Sequence, residues 1–507
     1  MSHIVIQDAL YNAKSVRQID HLAIQQMAIP SIVLMKRAGR AAFDELIDAW
    51  GQPSTITVFC GSGNNAGDGY IVAALAAEKG FTVRVIELAT ADKLSADAAL
   101  ARDYSAKAGV SFQGFKADID LFDGVIVDAL LGTGFQPTAA APIRESYTQA
   151  IHCINNAALP VLSIDLHSGL CSDTGSAAGA AVKADITVTF IAAKQGMFTG
   201  RGPALCGEII YHSLNIDEAL FEQQPSSSQL MNLDDLLEAY PDRDADAYKN
   251  QFGHTMVVGG DLGYGGAVVM AAESALKIGS GLVSAATRPQ HIAAVLTRQP
   301  EIMASGIISG QELEPLLDKP TVLIVGPGLG RSPWSEQLLQ KAVATGLPTV
   351  MDADALNIIA EGRVVPKPDG TNWVMTPHPA EAARLLNISV TEVQADRFSA
   401  VRALQQKFNA VVLLKGSGTL IASPDSDQVM VCPYGNPSMA TAGMGDLLSG
   451  IIGGLLAQGL EPSQAAQLGC CLHSAAADLA VEERGARGLT ATDITAYLRG
   501  ILNGADL

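Results

Sequence analysis

Short runs of β-branched and apolar residues alternate along this chain with longer stretches whose apolar positions recur at helical spacing. In the first half the runs fall at 55–60 (TITVFC), 81–88 (FTVRVIEL), 124–130 (GVIVDAL), 160–166 (PVLSIDL) and 186–192 (ITVTFIA). In the second they fall at 254–260, 281–287, 321–327, 348–353, 373–377 and 410–416. Strands separated by helical segments predict right-handed βαβ units and mainly parallel sheets, so the expected fold class is α/β with two doubly wound domains. The pattern breaks at 221–250, where a Gln/Pro/Ser run precedes an acidic cluster without periodicity. That break reads as a linker, and the expected division is 1–220, a linker at 221–228, and 229–507.

Length and charge narrow the picture. A chain of 507 residues needs at least two cores, and 48% hydrophobic with 17% charged residues is a globular composition. A net charge of −19 offers no basic face for nucleic acid or an anionic membrane, so an anionic ligand must be held by local geometry. Seven scattered cysteines without CxxC or Cys/His spacing suggest reduced thiols rather than zinc. The N-terminus lacks a basic region before its apolar residues, and 447–459 is too short to span a bilayer. A soluble, cytoplasmic protein is expected.

Ligands of parallel sheets sit at the carboxyl ends of strands, so the residues leaving each strand carry the chemistry. After 55–60 comes GSGNNAGDGY (61–70), expected as a glycine loop before a helix at 71–80. Its Gly61, Gly63 and Gly67 give GxGxxxG, one residue longer than the dinucleotide fingerprint, although Glu87 sits where a ribose-binding acid would. Asn64, Asn65 and Asp68 add side chains able to bind a ribose, an amide or a metal. Two further exits bear acids: Asp128 before a second glycine loop, and Asp165 with Ser168 in IDLHSGL. A lone Asp after a strand usually caps a helix or forms a turn, but three such exits on one sheet edge predict a pocket.

GxGNNxGDG, VDALLGTG and IDxxSGL, in this order, resemble the epimerase domain of the NAD(P)H-hydrate repair enzymes over roughly residues 10–218. The resemblance implies that Asn64, Asn65, Ala66, Gly67 and Asp68, with Gly132, Thr133, Gly134, Phe135, Gln136, Pro137 and Thr138, hold the hydrated nucleotide. It also implies that Asp165 lies at the reacting ring and that Asn65, Asp128 and Ser168 give oxygen ligands to K+. The family's proline before Ser168 is His167 here.

In the second half TAGMGD (441–446) places backbone N–H groups at a helix start, an anion cradle with Asp446 inside it. An acid there fits a general base for a hydroxyl about to be phosphorylated. LLKGSGT (413–419) offers Lys415 and a Gly-Ser-Gly turn; VGPGLG (325–330) is another glycine loop, and His378 and Glu381 lie at a strand-to-helix junction. No GxxxxGK[ST] is present. Together these resemble a ribokinase-like fold and the dehydratase domain of the same repair enzymes, over about 229–504. The resemblance implies that Lys415, Gly416, Ser417, Gly418, Thr419 and Gly445 contact the adenine nucleotide. It implies that Ala267, Gly328, His378 and Asp446 face the hydrate, that Mg2+ assists, and that ADP is the co-substrate.

The implied activity is bifunctional: epimerisation of the R and S hydrates (NADHX and NADPHX), then ADP-dependent dehydration of the S form to NAD(P)H, AMP and phosphate. The partners are small molecules, not nucleic acid or membrane, and a homo-oligomer is the expected assembly. The competing expectation is a ribokinase-like kinase for a vitamin precursor, with a nucleotide-binding module upstream.

Overall fold

The computed structural model describes residues 8–135, 143–177, 179–365 and 370–504. The chain folds into two compact units, residues 1–229 and 230–507. Between the expected domains, Ala219–Glu222 is a short helix and Ser228–Leu230 a strand.

In the first unit seven parallel strands lie in the order Ser111–Gly114, Val83–Glu87, Ile56–Cys60, Val125–Ala129, Val161–Ile164, Ile186–Phe190, Glu208–His212. Numbered along the chain this is 3-2-1-4-5-6-7, a doubly wound sheet whose order reverses between Ile56–Cys60 and Val125–Ala129. Both strands at the reversal are buried throughout, which their unbroken apolar runs require of a sheet covered on both faces.

The second unit repeats this plan. Met303–Gly306, Leu282–Thr287, His254–Val258, Val322–Val325, Thr349–Met351, Trp373–Met375 and Val411–Leu414 are parallel neighbours in the same 3-2-1-4-5-6-7 order. Leu420–Ala422 and Val429–Val431 extend the sheet antiparallel. The helix Met444–Ala457 packs along Gly265–Lys277 through glycines: a Cβ on Gly450 would lie 1.9 Å from Ser274 Oγ and 2.1 Å from the Ala271 carbonyl oxygen. Among the described residues no helix is long and apolar enough to cross a membrane.

One sequence expectation is corrected. The stretch 64–70 is not loop: the helix runs Asn64–Glu78, with Gly63 as its N-cap. Gly67 and Gly69 therefore lie inside a helix and serve packing instead of a phosphate cradle. A Cβ on Gly67 would sit 2.4 Å from Met35 Cε, and one on Gly69 would sit 2.5 Å from Ala129 Cβ. Of the motif glycines at 61, 63, 67 and 69, Gly63 alone has nothing within 4 Å of its Cβ position.

Candidate functional site

At the reversal point of the first sheet lies a cavity of about 500 Å³. Asn64, Asn65 and Asp68 come to it from the first helix turns, Leu130 to Phe135 from the loop after the fourth strand, and Asp165 from the exit of the fifth. Gln136, Pro137 and Thr138 lie outside the described residues. Ala66 and Gly67 are buried beneath the helix start and do not line the cavity.

The oxygen set expected to hold K+ converges. Asp128, fully buried, accepts from Ser168 Oγ at 2.6 Å, Ser168 N at 2.8 Å, Ser163 Oγ at 2.9 Å and Leu130 N at 3.2 Å. Burial pushes its carboxyl up, opposed by these bonds. The Leu131 carbonyl accepts from Asn65 Nδ2 at 3.1 Å and faces Ser168 Oγ at 3.3 Å, which leaves Asn65 Oδ1 buried without a partner. A buried amide oxygen without a donor, beside a carbonyl, a hydroxyl and a carboxylate, is a donor set that a large, weakly hydrated cation satisfies.

Asp165 follows its strand at φ +63°, a conformation that non-glycine residues hold only when their surroundings fix it. What fixes it is Lys194, fully buried, whose ammonium is bonded to Asp165 Oδ1, Thr189 Oγ1 (2.8 Å) and the Phe190 carbonyl (3.0 Å). His167 points away from the cavity into the core, its Nδ1 3.4 Å from Cys206 Sγ, and burial drives its pKa down to about 3. Glu87 is taken by Arg102 and by the Tyr70 hydroxyl (2.8 Å), so both carboxylate oxygens are engaged and it is no free ribose ligand.

In the second unit the helix Met444–Ala457 starts from Gly443 at φ +89°, and Asp446 is its third residue. Burial and the neighbouring Asp352 and Asp354 raise its carboxyl to about 7, with Lys415 opposing. Lys415 Nζ donates to Asp352 Oδ1 at 2.9 Å and lies 3.2 Å from the Cβ position of Gly445, so any side chain at 445 would crowd the ammonium. Thr376 Oγ1 and Ser449 Oγ, each at 2.8 Å, complete the shell of Asp352. Burial works against its charge, yet these partners hold Asp352 below the usual carboxylate range.

Gly416 and Gly418 turn at φ +145° and +59°, and Thr419 Oγ1 closes the turn on the Gly416 carbonyl at 3.1 Å. Beneath it the buried Arg397 guanidinium donates to the carbonyls of Leu414 (3.2 Å) and Lys415 (3.4 Å). Ala267 Cβ lies 3.1 Å from the Cβ position of Gly328. His378 caps the helix Pro379–Leu386, its Nδ1 accepting from Ala380 N (3.0 Å), while Glu381, raised to about 7 by burial, accepts from His378 N at 2.8 Å. Asp352, Glu381 and Asp446 thus all act electrostatically on Lys415, where strand exits meet helix starts.

Residues 31–196 match the family model "YjeF-related protein N-terminus", and residues 255–499 match "NAD(P)H-hydrate dehydratase". The chain is 46% identical to a bifunctional NAD(P)H-hydrate repair enzyme of Coxiella burnetii, across 97% of this chain and 99% of that protein. The chain belongs to the bifunctional NAD(P)H-hydrate repair enzymes. A member of this family from Escherichia coli is 39% identical across 99% of this chain and 95% of its own. A ribokinase-like superfamily protein of Enterococcus faecalis, 27% identical with a TM-score of 0.50, covers 55% of this chain and 98% of its own, so a ribokinase-like fold is present.

Of the residues that build these two sites in this repair-enzyme chain, sequence reasoning missed Asp352, Arg397, Lys194 and Asp20. Asp352 leaves the strand Thr349–Met351 and was open to the same rule that found Asp128 and Asp165. Lys194 and Arg397 had no signal, because nothing in a sequence marks a cation as buried. Asp20 lines the first cavity from the helix Ala13–Gln26, distant in sequence from every glycine loop.

Proposed function

We propose that the chain repairs hydrated NADH and NADPH in two steps, the first unit epimerising the R and S hydrates and the second dehydrating the S form with ADP. The observation that carries this reading is the placement of Asp446 in the first turn of the helix Met444–Ala457, next to Gly445 and the Lys415 ammonium, where burial raises its carboxyl to about 7. A base poised near neutrality takes the proton of the ring hydroxyl, which attacks the β-phosphoryl of ADP. Helix N–H groups at Gly445 and Asp446 and the Lys415 ammonium stabilise the transferring phosphoryl group. Phosphate then leaves ring carbon 6 with push from the adjacent ring nitrogen, and the iminium so formed loses a proton from ring carbon 5, which gives NAD(P)H alongside AMP and phosphate.

Lys415 to Thr419 and Gly445 are assigned to the nucleotide, and Ala267, Gly328, His378 and Asp446 to the hydrate. Mg2+ is assigned to the ADP phosphates, since this ion keeps most of its waters and is commonly held through substrate phosphates. It would neutralise phosphate charge. K+ fits the first unit, held by Asn65 Oδ1, Ser168 Oγ and Asp128, where it would fix the Leu131 loop against the substrate. Asp165 is assigned to proton transfer at ring carbon 6. Seven free cysteines, none in a disulfide, accord with a cytoplasmic location. Mixing the protein with hydrate and ADP tests the reading: recovery of reduced-nicotinamide absorbance supports repair, whereas phosphorylation of a vitamin precursor without recovery would support a kinase.

A further inference from the structure

The first cavity holds more acid than the proposed epimerisation has so far used. Asp20, Asp68 and Asp165 all line it, the first from Ala13–Gln26, the second from Asn64–Glu78 and the third from a strand exit. Their surroundings differ. Asp165 is ion-paired to the buried Lys194 ammonium and accepts from Phe190 N at 3.3 Å, whereas no hydrogen-bond donor among the described residues engages the Asp68 carboxyl.

We propose that Asp68 is a second catalytic residue of this cavity, the carboxylic acid that works opposite the Asp165 carboxylate, and that Lys194 fixes which of the two carries the proton. This rests on the epimerase reading above. Two carboxyls in one cavity do not both ionise freely; a single buried cation on one of them sends the shared proton to the other. Consistently, burial, Asp165 and Asp20 push the Asp68 carboxyl well above its usual range, with Lys194 opposing. Asp20 is itself raised by burial, Asp165 and Asp97, with His21 opposing, and Arg17 and Arg144 also face the cavity.

The step balances. Asp68 gives its proton to the hydroxyl on ring carbon 6; the carbon–oxygen bond breaks, water leaves with the bonding pair, and the ring-nitrogen lone pair forms a carbon–nitrogen double bond. Water adds to the opposite face, Asp165 takes its proton, and the nitrogen regains its pair. Solvent exchange returns the proton from Asp165 to Asp68.

The test uses the full chain, pure R hydrate of NADH and excess ADP, with thermal unfolding of the first unit as the control that each variant is folded and turnover of the S hydrate as the control for the dehydration step. Asp68→Asn is expected to lower kcat on the R hydrate roughly 10²–10⁴-fold, with KM and S-hydrate turnover little changed. Asp20→Asn is expected to move the alkaline limb of the R-hydrate profile to lower pH, because it removes a charge that favours the protonated Asp68. Lys194→Met is expected to move both limbs to higher pH, a shift that loss of packing alone would not give. Should Lys194→Met fail to fold, the two aspartate variants still decide. Asp68→Asn that raises KM and leaves kcat intact would make Asp68 a binding residue only and overturn the inference. A wild type no faster than spontaneous epimerisation would overturn the epimerase reading as well; a fast wild type with an equally fast Asp68→Asn overturns this inference alone.

Discussion

Lys415 Nζ sits 2.9 Å from Asp352 Oδ1, which joins the proposed nucleotide loop to a buried acid that no glycine motif marks. Removing the cation would leave Asp352 buried and uncompensated. Lys415→Met is therefore expected to destabilise the second unit by roughly 2–4 kcal/mol, less than for a fully buried pair because the Lys415 side chain is 21% exposed. Asp352→Asn added to it should restore part of that loss, as urea unfolding would show. The depressed Asp352 stabilises the fold above its unfolded pKa of about 3.9 and loses this as pH falls through the folded value. The raised Lys415 stabilises it below about 10.4. The pair's contribution is thus flat across neutral pH.

Asp446 has the opposite sign. Its folded pKa, about 7, lies above the unfolded value of about 3.9, so it favours the folded state least above pH 7 and costs stability progressively from about pH 4 upward. Asp446→Asn should gain on the order of 1–3 kcal/mol at pH 8 and nothing at pH 3 while losing dehydration, a trade of stability for function. In the wild type the dehydration rate should rise with pH through a midpoint near 7, as the base loses its proton. A rate falling through that range would reassign Asp446 as an acid.

The glycines of the first motif separate by role. Gly69→Ala would push a methyl against Ala129 Cβ on a central buried strand and should destabilise the first unit by about 1–3 kcal/mol despite better helix propensity. Gly63→Ala meets nothing within 4 Å and should cost no more than about 1 kcal/mol, the difference between Gly and Ala at an N-cap, so a larger effect on epimerisation would report on ligand approach. Thermal unfolding of both variants makes the comparison.

The central strands were legible because burial on both faces forces continuous apolar runs, as in Ile56–Cys60 and Val125–Ala129. The edge strands Ser111–Gly114 and Met303–Gly306 were not, since each has one side free and keeps exposed residues. The site followed the same division. Asp128, Asp165 and Asp446 stand at strand exits or helix starts, which a sequence marks with glycine. Lys194, Arg397 and Asp20 act through tertiary contacts across tens of residues. The helix start at Asn64 was missed because two glycines within five residues read as a loop, whereas in the fold they let that helix lie against Met35 and Ala129.

Asn65 Oδ1 gives a separate handle on the first unit. Asn65→Ala, which removes the buried oxygen without a donor, should abolish any K+ activation of epimerisation and leave dehydration of the S hydrate untouched. Comparing rates in K+ and Li+ buffers checks this, and equal K+ activation in the variant would place the cation elsewhere.

The division of labour between the two units is tested most directly by supplying each pure epimer with ADP and following recovery of reduced-nicotinamide absorbance in wild type, Asp165→Ala and Asp446→Ala. The wild type should restore both epimers. Asp165→Ala should restore the S form at the normal rate and the R form only as fast as it epimerises unaided, while Asp446→Ala should restore neither. Equal loss on both epimers in Asp165→Ala, or appreciable recovery by Asp446→Ala, would contradict the assignment.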